Sequence, residues 1–433
     1  MRKAGIAIGV LWLVAGLCAT PYAGGIINKQ NWSAEYLRTL NRNAATDMAD
    51  AAAFNPAGTA LMKDGLYLKA DGIYLMKDYS NELPSSPAIL NLGTLDSEEP
   101  SIIPGLFAVY KKDRWAGFFA VTIPGGGGYV RFDDGNARTA MLSLPGALGG
   151  LGTYLGGPTG NPTNIDQFIE ADSYYVGYSL GASYRIFDTL ALGGGIRYVD
   201  ASQTFKGKAQ GALNSVNVKI ERTDEAFNYF LGLNWMPIPD LTFAATYMSN
   251  TPLNFKSDTK DNSPGAAVSR GVGWTDGTHE REDLPGYISL GLSYFIIPGK
   301  LRIEPNLNYY LEKQAKLEGR RFQDSMPGNS MDYGVTLEYI LNPQWRFSVG
   351  YLRTDIKGMD SPDLLPEAPE LDANTIAAGF VWSPTERLSL SLGGLRVWYE
   401  SEKVDRSSSR APAGTTLDKD VWGLAVGLQY RFF

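Results

Sequence analysis

Trp422-Gly423-Leu424-Ala425-Val426-Gly427-Leu428-Gln429-Tyr430-Arg431-Phe432 alternates large apolar residues with small or polar ones. Side chains on a β-strand point to opposite faces in turn. Trp422, Leu424, Val426, Leu428, Tyr430 and Phe432 therefore share one face. Gly423, Ala425, Gly427, Gln429 and Arg431 share the other. The pattern recurs upstream. Leu301, Ile303, Leu307 and Tyr309 oppose Arg302, Glu304, Asn306 and Asn308; Tyr333, Val335, Leu337 and Tyr339 oppose Asp332, Gly334, Thr336 and Glu338.

The spacing predicts fourteen strands, near 65–78, 102–112, 114–124, 170–187, 189–206, 222–237, 240–255, 283–297, 299–313, 329–341, 344–356, 371–383, 386–401 and 420–433. In the thirteenth the alternation stops after Gly393-Gly394, which suggests a bulge. Connections alternate in length. Turns such as Lys112-Asp113, Phe187-Asp188, Pro298-Gly299 and Asn342-Pro343 are very short, whereas 79–101, 125–169, 207–221, 256–282, 314–328, 357–370 and 402–419 are long. A soluble sandwich has no cause to sort its loops in this way. An outer-membrane barrel does, with short periplasmic turns and long outer loops. Trp115, Trp235, Trp345 and Trp382 lie beside short turns, and Trp398 and Trp422 near long loops, as two interfacial girdles would require. In hydrocarbon an unpaired strand edge is prohibitive, so the sheet must close. The expected fold is all-β: a fourteen-stranded antiparallel transmembrane β-barrel, residues 65–433, in the bacterial outer membrane.

Composition agrees and excludes other classes. The chain of 433 residues holds 49 Gly and 24 Tyr, with 12% aromatic and only 20% charged residues. Lys+Arg 39 against Asp+Glu 46 gives −7, which argues against nucleic acid. One His and one Cys leave no His/Cys metal cage and no disulfide framework. No cofactor motif is present, and no catalytic group is expected.

Residues 1–23 read as a signal peptide: Arg2 and Lys3 precede an apolar stretch from Ala4 to Ala19. Residues 24–64 lack period-two alternation. An Ala-rich, helix-permissive run there is broken by Asn55-Pro56. Fourteen strands enclose more space than their own side chains fill. A plug for that space and a periplasmic tail are the two readings of this segment.

Ala44-Ala45-Thr46, Asp50-Ala51-Ala52 and Phe54-Asn55-Pro56-Ala57-Gly58 resemble the hatch signature of the FadL-type outer-membrane transporters of long-chain fatty acids and aromatic hydrocarbons. The resemblance spans the chain. It implies that 24–64 form a hatch inside the barrel, with Asn55, Pro56, Ala57 and Gly58 as its gate against the wall near a lateral opening. It also implies an inward kink in the third strand, through which a greasy ligand leaves sideways into the bilayer. Pro124-Gly125-Gly126-Gly127-Gly128 stands at the end of that strand, where proline removes a ladder donor and the glycines remove side chains. A lateral gap and an ordinary strand-to-loop exit both fit those residues.

Loop 125–169 carries an apolar stretch with Met141, Leu142, Leu144, Leu148, Leu151, Tyr154 and Leu155. Such a patch on an outer surface marks ligand capture or a self-packed loop helix. Arg197, Asn306 and Asn308 fall on the inward parity as polar lumen candidates. Arg197 suits a ligand carboxylate or a wall ion pair with the inward Glu304 and Glu338. The expected function is passive uptake of fatty acids or other hydrophobic compounds by a monomer, with hydrophobic ligand, membrane lipid and the outer-membrane assembly machinery as partners. A general diffusion porin and an adhesin-like surface barrel are the alternatives. An enzyme would have to use His279, which stands in the polar stretch Trp274–Glu280.

Overall fold

The computed structural model describes residues 31–84, 93–126, 128–143, 166–210, 215–263, 276–318, 328–357, 364–408 and 410–433. Residues 1–23, expected to be a signal peptide, therefore lie outside the described residues. The strands are β1 (Gly65–Glu82), β2 (Thr94–Lys112), β3 (Trp115–Gly125) with its continuation β4 (Val130–Phe132), β5 (Asp166–Phe187), β6 (Leu190–Gln210) and β7 (Ser215–Ile238). Next come β8 (Leu241–Met248), continued by β9 (Asn254–Ser263), and β10 (His279–Arg281), continued by β11 (Tyr287–Ile297). The remainder are β12 (Leu301–Tyr310), β13 (Met331–Asn342), β14 (Trp345–Asp355), β15 (Ala373–Thr385), β16 (Leu388–Tyr399) with the short β17 (Glu402–Lys403), and β18 (Thr416–Arg431). Counting each continued strand as one stave gives a closed antiparallel barrel of fourteen. It closes where β1 meets β18, from Tyr67 opposite Arg431 to Glu82 opposite Thr416.

Side-chain parity follows the solvent on each face. On β18, Trp422, Leu424, Val426, Leu428 and Tyr430 point outward and stay exposed, while Gly423, Ala425, Gly427 and Gln429 turn into the barrel. Aromatic side chains cluster near the short turns, where Trp345 stacks on Trp382 at 6.0 Å and Trp235 on Phe243 at 5.4 Å. Toward the long loops Tyr74 meets Trp422 at 5.7 Å. An apolar band with an aromatic rim at each end is what a bilayer selects.

Two expectations are corrected. No bulge follows Gly393-Gly394; β16 keeps register with β15 from Leu390 opposite Trp382 to Tyr399 opposite Ala373. The polarity pattern stops there because the lumen itself turns apolar, with Leu395 and Val397 buried inside. The staves also run farther outward than the apolar alternation. Thr94–Ser101, Gly207–Gln210, Ser215–Glu221 and Ser257–Ser263 are strand, not loop. His279 likewise opens β10, opposite Lys256.

Residues 31–62 do not join the wall. Helix Ala34–Thr39 starts at an N-cap Ser33 whose hydroxyl accepts from Tyr36 N, and it stops at a left-handed Leu40. Helix Ala51–Phe54 runs into the 3-10 turn Pro56–Leu61. Nearly every residue of this segment is buried, and the segment packs on the inner faces of β1–β3, β5–β7, β13–β16 and β18.

Candidate functional site

The inner segment is seated by missing side chains in the wall. A Cβ at Gly350 would fall 2.2 Å from the Thr39 carbonyl oxygen, and one at Gly193 would fall 2.7 Å from Pro56 C and Ala57 N. Only glycine lets backbone approach backbone so closely. On the β13–β16 side the seat is charged. Arg38 bonds Glu35 at 2.5 Å, Glu338 at 2.6 Å and the Ser348 hydroxyl at 3.0 Å. Arg42 bonds Asp50 at 2.8 Å and Asp47 at 2.9 Å, and Asp47 takes Arg346 at 2.5 Å. Arg302 bonds Glu338 at 2.7 Å, and Ser391 donates to Glu35. Burial opposes ionisation of Glu35, but Arg38, Lys69 and Arg42 outweigh it and hold the carboxyl down to about 2.

On the opposite side the contacts are neutral. Asn55 Nδ2 donates to Asn234 Oδ1 at 2.7 Å, and the Thr59 and Ser183 hydroxyls meet at 2.6 Å. Asn55, Pro56, Ala57 and Gly58 thus lie against β5–β7 near the short turns. Gly58 is pinned there too, since a Cβ on it would sit 1.9 Å from the Ala45 carbonyl oxygen.

The third stave departs from its neighbour. β2 pairs β1 along nearly its whole length, yet pairs β3 only from Leu106 opposite Val121 to Lys112 opposite Trp115. Among the described residues, the edge of β2 from Thr94 to Gly105 that would face β3 has no ladder partner there. Pro100 and Pro104 sit within it, as expected of an edge. The far end of this window is bridged by Arg131 N donating to the Ser97 hydroxyl at 3.0 Å. On its other side β3 keeps β5 but shifts register between Thr122 and Gly125. Ile123, Pro124 and Gly125 are all buried, so alternation has ended and the stave bends inward. A Cβ at Gly125 would meet Tyr175 Cδ2 at 2.6 Å and Leu284 Cδ2, from beyond β10, at 2.8 Å. Gly126, at φ +88°, makes the turn that a side chain would strain. Gly128 N donates to the Ser173 carbonyl at 2.8 Å. Gly127 lies outside the described residues.

The window and the Asn55–Gly58 segment are separate places. Ala116 lies opposite Ser183 and Thr122 opposite Gly177. Six residues of strand, about 20 Å, divide the two levels.

Above the inner segment the lumen holds apolar clusters beside buried charges such as Arg197 and Arg222. Tyr175, Val199, Ala201, Ala226, Leu253, Phe255 and Leu284 form one cluster at the kink. Tyr79, Leu83, Leu95, Phe132, Ile169 and Phe205 belong to another toward the long loops. Helix Ala137–Ser143 stands at that mouth, held by Arg138–Glu367 at 2.6 Å and by Ala137 N donating to Asn81. Of the capture stretch, Met141 and Leu142 end this helix with side chains outside the described residues. Leu144, Leu148, Leu151, Tyr154 and Leu155 lie outside them entirely.

The lumen candidates divide. Asn306 donates to the Leu40 carbonyl at 3.4 Å, and Asn308 Oδ1 accepts from Asn43 at 2.9 Å, so both bind the inner segment. Arg197 is buried, 3.2 Å from where a Cβ on Gly177 would lie, and Pro124 Cγ is 3.0 Å from the same point. Glu304 and Glu338, its expected partners, take Arg302, Arg38 and Arg346 instead. The β2 window edge was not expected, although Pro100 and Pro104 were legible signals for it.

A closed barrel with a greasy outer surface, a filled short-turn half and apolar clusters in its upper lumen is an outer-membrane transport protein. The chain belongs to the family described as outer membrane protein transport protein (OMPP1/FadL/TodX), which matches residues 166–432. That family comprises outer-membrane transporters of hydrophobic compounds, not enzymes. Solved structures share the fold at low identity. A Pseudomonas aeruginosa FadL homologue is 15% identical, with TM-score 0.65 over 96% of this chain and 99% of that one. The Ralstonia pickettii toluene transporter TbuX is 14% identical, with TM-score 0.63 over 94% and 100%. The Pseudomonas putida toluene transporter TodX is 11% identical, with TM-score 0.63 over 93% and 99%. A search of curated proteins finds no match.

Proposed function

We propose that this chain carries long-chain fatty acids or similar hydrophobic molecules passively from outside the cell into the outer membrane, leaving sideways through its wall. Residues 24–64 act as a hatch, and Asn55–Gly58 as its gate. The apolar stretch from Met141 to Leu155 captures the ligand. The single observation that supports this most is the third stave. It bends inward beside an unpaired edge of β2 while the straight route to the periplasm is filled by residues 31–62. A greasy ligand gains roughly 25 cal/mol for each Å² it keeps from water. A sideways path from apolar lumen to bilayer avoids rehydration altogether.

Uptake by cells that depend on this protein tests the reading. Deleting Pro124 removes the extra residue of the bulge and lets β3 continue in register. Uptake of oleate should fall by roughly tenfold or more, a barrier rise of about 1.4 kcal/mol. Unchanged uptake in that variant, and also in Pro56→Trp and in a chain lacking 24–62, would overturn both exit and gate. Planar-bilayer recording separates the diffusion porin: large steady ion conductance by the intact chain would favour it instead.

A further inference from the structure

The ladder between β2 and β3 ends at Leu106, and its end has a cause on β2 itself. In an antiparallel pair, alternate residues turn their N–H and C=O groups toward one neighbour, and the residues between turn theirs away. Leu83 N donates to the Gly93 carbonyl at 3.1 Å, and Phe432 N donates to the Leu66 carbonyl at 2.9 Å. Carried along the registers of β1, these bonds turn the odd-numbered residues of β2 toward β1 and the even-numbered ones toward β3. Leu106 opposite Val121 is therefore the last bonded pair of the β2–β3 ladder. The next β2 residue in line is Pro104, which has no N–H to give. Pro100 follows on the same edge.

The level of these prolines matters. The outward side chains of β2 are Asp96 and Glu98 toward the long loops, then Pro100, Ile102, Pro104 and Leu106. On β1, Asp78 lies opposite Glu98 and Tyr74 opposite Ile102, so the outer surface changes from charged to apolar between these rows. Thr94, Asp96 and Glu98 keep their N–H groups where water can satisfy them. Beyond the change the edge faces hydrocarbon, where an unpaired N–H is costly. There Pro100 and Pro104 carry none, and only Ile102 between them does. The donors are missing where the bilayer would strand them.

Pro305 on β12 offers a comparison. Leu311 N donates to the Gly286 carbonyl at 2.8 Å, so the odd-numbered residues of β12 turn toward β11, and Pro305 withholds a donor there. That pairing lapses after Gly291 opposite Asn306 and resumes in the same register at Tyr294 opposite Ile303. One missing donor interrupts a ladder without parting the staves. At the window a second proline follows on β2 and β3 shifts register between Thr122 and Gly125, and among the described residues β3 does not pair with β2 again.

We propose that Pro104 and Pro100 are positioning residues for the sideways exit: they stop β3 from zipping onto β2, and they let the free edge of β2 lie against lipid. The proposal rests on the transport reading above and names what holds its exit open from the β2 side.

Pro100→Val with Pro104→Val restores both donors in a residue that favours strands. β3 should then follow β2 farther. In the purified full chain, amides of residues 122–125 should gain roughly tenfold protection from hydrogen exchange, and oleate uptake by cells should fall roughly fivefold or more. Pro305→Val should leave uptake unchanged. Protection gained with uptake intact would overturn the sideways exit itself. In a folded variant, no gain in protection overturns the role of the prolines, whatever happens to uptake, and leaves the exit reading standing. A second pair of variants keeps the test alive if the double Val chain does not fold. Ile102→Pro removes a donor that faces the window and should still give the heat-modifiable gel band of a folded barrel, whereas Ile103→Pro removes a donor to β1 and should lose it. Loss of the band in Ile102→Pro, or equal tolerance of both substitutions, overturns the free edge and the proposal with it.

Discussion

The inner segment meets two unlike walls. Helix Ala34–Thr39 faces β13–β16 through Arg38, Glu35 and Glu338, whose carboxylates and guanidinium are wholly buried. The turn Pro56–Leu61 faces β5–β7 through amide and hydroxyl contacts and close backbone packing. Removing one partner of a buried ion pair strands a charge in a low dielectric, at a cost of about 3–5 kcal/mol. Losing one neutral hydrogen bond costs about 1 kcal/mol. The two halves should therefore open independently, the second at lower cost. The first half is held by buried ion pairs, and the second half, on the side that holds the kinked stave, by neutral contacts.

Hydrogen exchange on the refolded protein can break this contrast. Glu338→Gln should have the largest effect. It removes the charge that faces Arg38 and Arg302, and amides of 34–39 should lose protection by roughly a hundredfold, a few kcal/mol. Equal loss in 51–61 would mean that residues 31–62 open as one body. Acid should act next. The carboxyl of Glu35 is held below its ordinary 4.5 in the folded chain, down to about 2. Its contribution is therefore complete above about 4.5 and lost as pH falls toward 2. Protection of 34–39 should be flat from neutrality to about 5 and then decline ahead of 51–61. Glu35→Gln should flatten that decline. Asn234→Ala should be smallest, lowering protection of 51–61 about fivefold and leaving 34–39 unchanged. An equal loss in both halves would deny their independence.

The wall was legible in the sequence because the bilayer imposes it. Trp422 to Tyr430 must show grease to lipid and something small or polar to the interior, so all fourteen staves betray themselves by period two. The pattern fails where that demand lapses. Beyond the outer girdle both faces of Ser257–Ser263 and Thr94–Ser101 are polar or mixed, and they read as loop. Pro100 stands in the second of these stretches and Pro104 just beyond it, on the free edge where proline belongs. Pro124-Gly125-Gly126 was conspicuous because its backbone demand is local. The glycine seats were not, because the reason for Gly350 lies at Thr39, more than three hundred residues away. Arg197 was assigned carboxylate partners by parity alone, and parity gives face without distance.

The inner segment touches both lips of the closing seam. Ala34 N donates to Asp71 on β1 at 3.1 Å, and Ala49 N donates to Gln429 on β18 at 2.7 Å. Those lips are the first and last staves of the wall, and bringing them together forfeits the entropy of a very long loop. A guest bound to both shortens the search. The same peptide that fills the short-turn half should therefore act as a splint in closing the wall: a chain without residues 24–62 should circularise more slowly when refolded into vesicles, as band-shift kinetics on gels would report.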